Sequence, residues 1–352
     1  MKILQILLSQ SEAGAETYFE KVAAEFEREA GVEQQLIIEA LGSREDRLGR
    51  AGCAFRTLPM DWFGKRFLYN AKLNRAAKAF APDIVFTWVN RASRKAPPTG
   101  AITVGRLGGY YDIANYRRCH HLIVNTPDLV RHVVESGWPE DAVTMISNFG
   151  DLPPSLDVPE ALPELPAGVP VLLTLGRLHP KKAQDVLIRA MPMIPEAHLL
   201  IAGVGELQDA HEELADALGV RGRVHFLGLR KDVAGLFQRA DVCVFPSRFE
   251  PLGNVVLEAW AMETPVVAAA SEGPKWLIDE GKNGLLFPVD DAGACAERVN
   301  ALLGDSSMAG RIVQGGREKL EREFSRQAII GQYLELFRGL LDGRVATAPG
   351  QS

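Results

Sequence analysis

The chain has 352 residues, too many for one ordinary core and suited to two domains. An apolar share of 47% and a charged share of 24% fit a soluble globular protein and exclude collagen-like, disordered and disulfide-scaffold chains. A formal net charge of −6 argues against general nucleic-acid binding, so no nucleic-acid partner is expected.

The chain opens on "KILQILLS", a short apolar run. It superficially suggests a signal peptide, but it is short and a helical pattern follows directly, so a first β-strand fits better. The expected location is the cytoplasm. Tyr18, Phe19, Val22, Ala23 and Phe26 then recur at helical spacing. "QQLIIEA" predicts the next strand, "LYNAKLNRAAKAFAP" a helix and "DIVFTWV" a strand. "HLIVNTP", the helix "DLVRHVVESG" and "VTMISNF" complete the first half. Six prolines between residues 153 and 170 predict an extended linker. The second half restarts with "VPVLLTLG" and the helix "AQDVLIRAMPMI", then "AHLLIAG", "RVHFLG", "DVCVFP", "PVVAAA" and "GLLFPV". Continuous apolar strands alternating with helices predict parallel sheets covered on both faces. Each half therefore reads as a doubly wound, Rossmann-like domain, which binds ligands beyond the carboxyl ends of its strands. Two such domains are expected to share a cleft.

Four cysteines, Cys53, Cys119, Cys243 and Cys295, lie far apart and read as reduced thiols without metal-ligand spacing. No run approaches the roughly 18–20 apolar residues of a membrane span. Charge is uneven: residues 55–131 carry 13 basic groups against 4 acidic ones. Lys65, Arg66, Lys72, Arg75, Lys78, Arg91, Arg94 and Lys95 lie there, with Trp62, Phe63, Phe67 and Tyr69 among them. This is either a solvated face or a surface for an anionic partner, such as a lipid-linked acceptor or the inner membrane surface, through residues 62–95.

Several strand ends carry candidate chemistry. In "SEAGAE", Gly14 precedes a helix, either as a plain turn or as a place where backbone approaches an anion. In "LGRLHPKKAQD", Arg177 and Lys182 would bind a pyrophosphate, with Lys181 as the competing lysine. "IAGVGE" offers Gly203, Gly205 and Glu206, as turn formers or ligand contacts, and "FLGLRKDV" puts Arg230 and Lys231 on a strand-to-helix loop. In "FEPLGNVVLEAW", Glu250 falls in a loop, while Leu252, Gly253 and Asn254 enter a helix whose N–H groups suit a phosphate or sugar oxygen. Glu258 stands among apolar neighbours, and a carboxylate there needs a partner such as ribose hydroxyls. Together they suit a nucleoside diphosphate-sugar.

These motifs, with "VHFLG", "EGPKWLIDEGKNGLLFP" and "CHHLIVNTPDLVRHVVESGWPEDAVTMISNFGD", resemble the retaining glycosyltransferases of family four over nearly the whole chain. The resemblance implies the GT-B fold: two Rossmann-like, doubly wound parallel-sheet domains facing a central cleft. The implied division is an acceptor domain at 1–155, a linker at 156–170 and a donor domain at 171–325. A helix at 326–345 would cross back to the first domain, and a disordered tail would occupy 346–352. Arg177, Lys182 and Glu250 would be catalytic. Gly14, Glu16, Gly203, Gly205, Glu206, Arg230, Leu252, Gly253, Asn254 and Glu258 would bind the donor. Arg106, Gly108, Gly109 and Tyr110 would face the acceptor, since "GRLGGYYD" resembles a surface-polysaccharide and lipopolysaccharide subgroup.

The implied donor is a UDP-sugar and the acceptor a saccharide or lipid-linked glycan. No cofactor or metal is implied, and the chain has no Asp-x-Asp motif. Three departures stand out: Ala15 replaces a usual glycine, Ala183 another, and a histidine expected after a mid-domain strand is absent from "TVGRLGGYYD". The competing readings are a GT-B sugar-nucleotide epimerase and a non-catalytic sugar-nucleotide-binding protein. A nicotinamide dehydrogenase ranks below both, because no strand–GxGxxG–helix appears.

Overall fold

The computed structural model describes residues 1–12, 14–58, 66–151 and 162–348. The chain divides into two compact units, Met1–Asn148 with Gln327–Ser352, and Phe149–Arg326.

The first unit runs β1 (Lys2–Leu7), α1 (Gly14–Phe26), β2 (Glu33–Glu39), α2 (Gly42–Arg50), β3 (Phe55–Leu58), α3 (Arg66–Phe80) and β4 (Ile84–Trp88). It continues through α4 (Val89–Arg94), β5 (Ile102–Leu107), β6 (His121–Val124), α5 (Pro127–Glu135) and β7 (Val143–Met145). Among the described residues its strands pair in the order β3-β2-β1-β4-β5-β6-β7, all parallel. The winding reverses between β1 and β4. Such sheets need both faces covered, and β4 accordingly is buried at every position. Leu4 and Ile6 of β1 pack with Leu73 and Ala77 of α3 on one face.

The second unit runs β8 (Val171–Leu175), α6 (Gln184–Ala190), β9 (His198–Ala202), α7 (Gln208–Ala217), β10 (Val224–Gly228), α8 (Val233–Arg239) and β11 (Val242–Phe245). Then follow α9 (Asn254–Ala261), β12 (Val266–Ala269), α10 (Glu272–Leu277), β13 (Leu285–Phe287), α11 (Ala292–Gly304) and α12 (Ser306–Glu323). The described strands pair in the order β10-β9-β8-β11-β12-β13, again parallel. This is the Rossmann order, with its reversal between β8 and β11. Alternation along β8 sends Leu172 into the cluster under α6 and α11, and Leu173 into the cluster holding Phe245, Leu257 and Trp260.

A last helix, α13 (Arg326–Leu341), lies in the first unit from Gln327 onward. Its Tyr333 ring sits 5.7 Å from Phe86 and 6.0 Å from Phe26, and Phe337 lies 5.4 and 6.2 Å from the same rings. The disorder expected from residue 346 does not hold for Ala346 and Ala348. Ala346 O lies 2.9 Å from His121 Nδ1, and the Ala348 N–H donates to His120 O at 2.6 Å. Of the expected linker, residues 156–161 lie outside the described residues. Leu162 and Leu165 pack on the core of the second unit, so this stretch is not a free spacer. Trp62, Phe63 and Lys65 also lie outside the described residues.

Burial lowers the pKa of His121, His198, His211 and His225 below the ordinary 6.5. His198 Nδ1 and His225 Nε2 meet at 2.9 Å with the rings stacked, so one must donate and the other accept. The native state then binds fewer protons than the unfolded one, and stability rises with pH across the window just below the ordinary value. The melting temperature should therefore fall between about pH 7 and about pH 5.5, and the slope should shrink in His198→Asn/His225→Asn. A flat profile, or an unchanged slope in the double variant, would refute this.

Candidate functional site

The carboxyl end of β8 leads into Gly176, held at φ +144°. A Cβ there would sit 3.5 Å from the Lys182 side chain. Pro180–Lys182 forms a single 3₁₀ turn, capped by His179 Nδ1 accepting from the Lys181 N–H at 3.2 Å. This turn separates the two competing lysines. Lys182 is half-buried and its Nζ donates to Glu250 Oε2. Lys181 is exposed and lies 4.7 Å from the centre of the Phe249 ring. Lys182, and not Lys181, thus pairs with Glu250 in the loop after β11. Arg177 is exposed at the same strand end. Its carbonyl accepts from Gln184 Nε2 at 3.2 Å, which ties the loop to the first turn of α6.

The loop after β11 carries Glu250 and turns into α9 at Gly253, where φ is +95°. A left-handed residue at the helix entry favours glycine, and with no side chain it leaves the α9 entry without a side-chain cap. Leu252 is buried, and Gly273 packs so closely that a Cβ would lie 2.2 Å from Leu252 O. The Gly273 N–H donates to Glu250 O at 2.9 Å, so the first turn of α10 supports the Glu250 loop. Along α9, Val256, Leu257, Ala259 and Trp260 are buried, and Trp260 Nε1 donates to Asn283 O at 2.7 Å. That seating leaves Asn254 and Glu258 half-buried. Burial first, and then the charge of Glu258, push the Cys243 thiol up.

Gly203 and Gly205 have a packing reason beside any ligand role. A Cβ on Gly203 would lie 2.0 Å from Gly176 O, and one on Gly205 would lie 2.2 Å from Leu178 O. Their glycines let the loops after β8 and β9 touch backbone to backbone. Glu206 is exposed, 3.9 Å from His179 Nε2. Arg230, expected to bind the donor, is paired within its own loop. Its side chain is only 3% exposed and donates to both Asp232 oxygens, at 2.8 and 2.6 Å. A buried fork engaged this way shapes the loop before α8, and breaking it would cost about 3–5 kcal/mol.

In the first unit, Gly14 is exposed at the start of α1. Glu16 is buried and accepts from Ser9 Oγ at 2.6 Å. Arg106, expected to face the acceptor, is held by partners within the first unit. It is buried, with its guanidinium 4.7 Å from the Tyr18 ring and 5.1 Å from the Trp88 ring. Nε donates to Tyr333 Oη at 2.8 Å and Nη2 to Asn148 Oδ1 at 2.5 Å. Arg106 thereby fastens α13 to the sheet. Tyr110 donates its hydroxyl to Asp128 and packs on His132, 5.3 Å between rings, so it belongs to the α5 contact. Gly108 and Gly109 sit between these two side chains, half-buried and buried. Tyr111, 39% exposed, is the open aromatic of this loop; burial and then the Glu16 charge raise its pKa.

Two residues were not singled out in the sequence. Arg44 is fully buried, donating Nε to Glu20 at 3.0 Å and its other nitrogens to Ser9 O and Ser11 O, which fixes the loop leading to Gly14. Arg248 bonds Asp185 with two nitrogens. Both are single basic letters whose partners are distant in sequence.

Residues 169–305 match the family model described as glycosyl transferases group 1. The chain is 37% identical to lipopolysaccharide core biosynthesis glycosyltransferase LpsE of Rhizobium meliloti over 92% of its length and 96% of that protein. It is 32% identical to LpsD of the same organism over 96% of its length and 98% of that protein. The fold is similar to the crystal structure of Anabaena Alr3699/HepE in complex with UDP and glucose, with a TM-score of 0.82, 22% identity and coverage of 96% and 99%. The two Rossmann-like units are those of the GT-B fold, and the chain belongs to the group 1 glycosyltransferases.

Proposed function

We propose that this glycosyltransferase moves a sugar from a UDP-sugar to a saccharide or lipid-linked glycan acceptor of the lipopolysaccharide core, with retained anomeric configuration and without a metal. The observation that carries the reading is the Lys182–Glu250 pair beside the left-handed α9 entry, at the carboxyl edge of a Rossmann sheet. The names of LpsE and LpsD support the acceptor class, and the UDP in the HepE crystal supports the nucleotide.

In this reading Arg177 and Lys182 take the diphosphate, and Glu250 takes hydroxyls of the transferred sugar. Leu252, Gly253 and Asn254 offer backbone to the sugar and distal phosphate, and Glu258 takes the ribose. Gly203, Gly205 and Glu206 border the base, and Arg106, Gly108, Gly109 and Tyr110 border the acceptor. Negative charge grows on the departing diphosphate in an oxocarbenium-like transition state, so positive groups aimed at it act mainly on turnover. The acceptor attacks from the face the diphosphate leaves, and the leaving phosphate receives the acceptor proton. The C–O bond to the diphosphate breaks as the new glycosidic C–O bond forms.

The test is a thermal-shift series with UDP, GDP, ADP, CMP and NAD on wild type and Glu258→Ala. A ligand at a hundred times its dissociation constant stabilises by about 2.7 kcal/mol. UDP should stabilise wild type, and Glu258→Ala should lose the effect. Stabilisation by NAD alone, or by none, would remove the donor assignments.

The enzyme is further proposed to work in the cytoplasm against an anionic membrane face. Among the described residues no helix is long and apolar enough to cross a membrane. Lys72, Arg75 and Lys78 are exposed on α3, which has no acidic residue. Wild type should sediment with anionic vesicles and not with zwitterionic ones, and Lys72→Glu/Arg75→Glu/Lys78→Glu should stay in solution. Equal sedimentation of both proteins would contradict it.

A further inference from the structure

Arg248 stands two residues before Glu250 and ties three segments of the second unit together. Its guanidinium donates to the two Asp185 oxygens at 2.9 and 2.7 Å and to Pro180 O at 2.9 Å. Its Nε donates to Asp290 Oδ1. Its own backbone N–H donates to Lys181 O at 2.9 Å, and the Phe249 N–H reaches the same carbonyl at 3.3 Å. Pro180 and Asp185 bracket the turn that holds Lys181, Lys182 and Ala183. One side chain therefore grips both ends of the Lys182 turn, while its backbone belongs to the loop of Glu250.

The turn needs such a grip. Ala183 is held at φ +54° and ψ +35°, a left-handed conformation that is strained for an alanine. Ala183 is also 1% exposed, so it cannot swing outward to relax. A planar guanidinium facing a carboxylate edge on is rigid where a lysine would pivot. The charges agree with the geometry. Burial alone would raise the Asp185 carboxyl, but the hydrogen bonds and charge of Arg248 outweigh it and hold the group below its ordinary value. Arg248 is raised in turn, chiefly by its hydrogen bond to Asp185. With its fork filled by Asp185, Arg248 is not a third phosphate cation.

We propose that Arg248 is a positioning residue for the donor diphosphate, setting the Lys182 turn against the Glu250 loop through Pro180 and Asp185. This rests on the glycosyltransferase reading above. The geometry makes a specific demand: the effect of Arg248 passes through Lys182, so the two residues must not act independently.

The experiment measures UDP affinity by calorimetry, turnover at saturating UDP-sugar, and melting temperature. The proteins are wild type, Arg248→Lys, Lys182→Ala and the double variant. Arg248→Ala is the harsher companion; Arg248→Lys keeps the charge and serves if the alanine variant does not fold. Arg248→Lys should lose about tenfold to a hundredfold in turnover, as expected for a displaced group, with a melting temperature within a few degrees of wild type. In the Lys182→Ala background the same change should alter UDP affinity by less than about twofold. The proposal is overturned if Arg248→Lys keeps wild-type turnover, or if it weakens UDP binding by the same factor with and without Lys182. If wild type itself binds neither UDP nor any other nucleoside diphosphate, the glycosyltransferase reading fails first and takes this inference with it.

Discussion

The ion pair between Lys182 and Glu250 is the interaction on which the site depends. It joins the loop after β8 to the loop after β11, the two strands on either side of the point where the second sheet reverses its winding. The pair is neither open nor sealed: the lysine side chain is 29% exposed and the glutamate 15%. In that setting the mutual attraction is stronger than on an open surface, yet either partner can be exchanged for a ligand group. A phosphate offers Lys182 a better-charged acceptor, and a sugar hydroxyl offers Glu250 a donor. In the function proposed above, the pair stands in for the substrate, each side chain occupying the other's binding capacity.

The surrounding structure keeps these loops close. Gly203, Gly205 and Gly273 each sit where a Cβ would overlap a neighbouring backbone carbonyl. Glycine at these places allows loops at the strand ends to stack without spacing side chains between them. Arg248 adds a charged brace across the same edge. The helix α9 is seated by Trp260 in the core, so Glu258 has little freedom in where it points. Precision here comes from packed elements beneath the loops.

Most of the architecture was legible in the sequence because buried parallel strands leave an unmistakable apolar run. "VLLTL" and "HLLIA" are buried at every position. The polar helix Gly42–Arg50 and the short edge strand Phe55–Leu58 were not, since neither carries such a run: α2 buries only Arg44 and Leu48. The nearness of Lys182 and Glu250 was legible because both follow the ends of buried strands. The arginines were not. Arg230 finds its partner two residues on, while Arg106 finds Tyr333, 227 positions away. A guanidinium reads the same in sequence whether it meets a ligand, a carboxylate or a ring, and only folding decides among them. Lys181 and Lys182 were separable only once the 3₁₀ turn set their directions.

The most direct measurement is the affinity of UDP for wild type and for Glu250→Gln, together with turnover of the UDP-sugar. If Glu250 occupies Lys182 until the donor arrives, removing its charge frees the lysine for phosphate. UDP should then bind roughly three- to tenfold more tightly, the scale of about 1 kcal/mol, while sugar transfer falls. Unchanged or weaker UDP binding in Glu250→Gln would contradict the account, because Lys182 would then not be the group that receives the diphosphate.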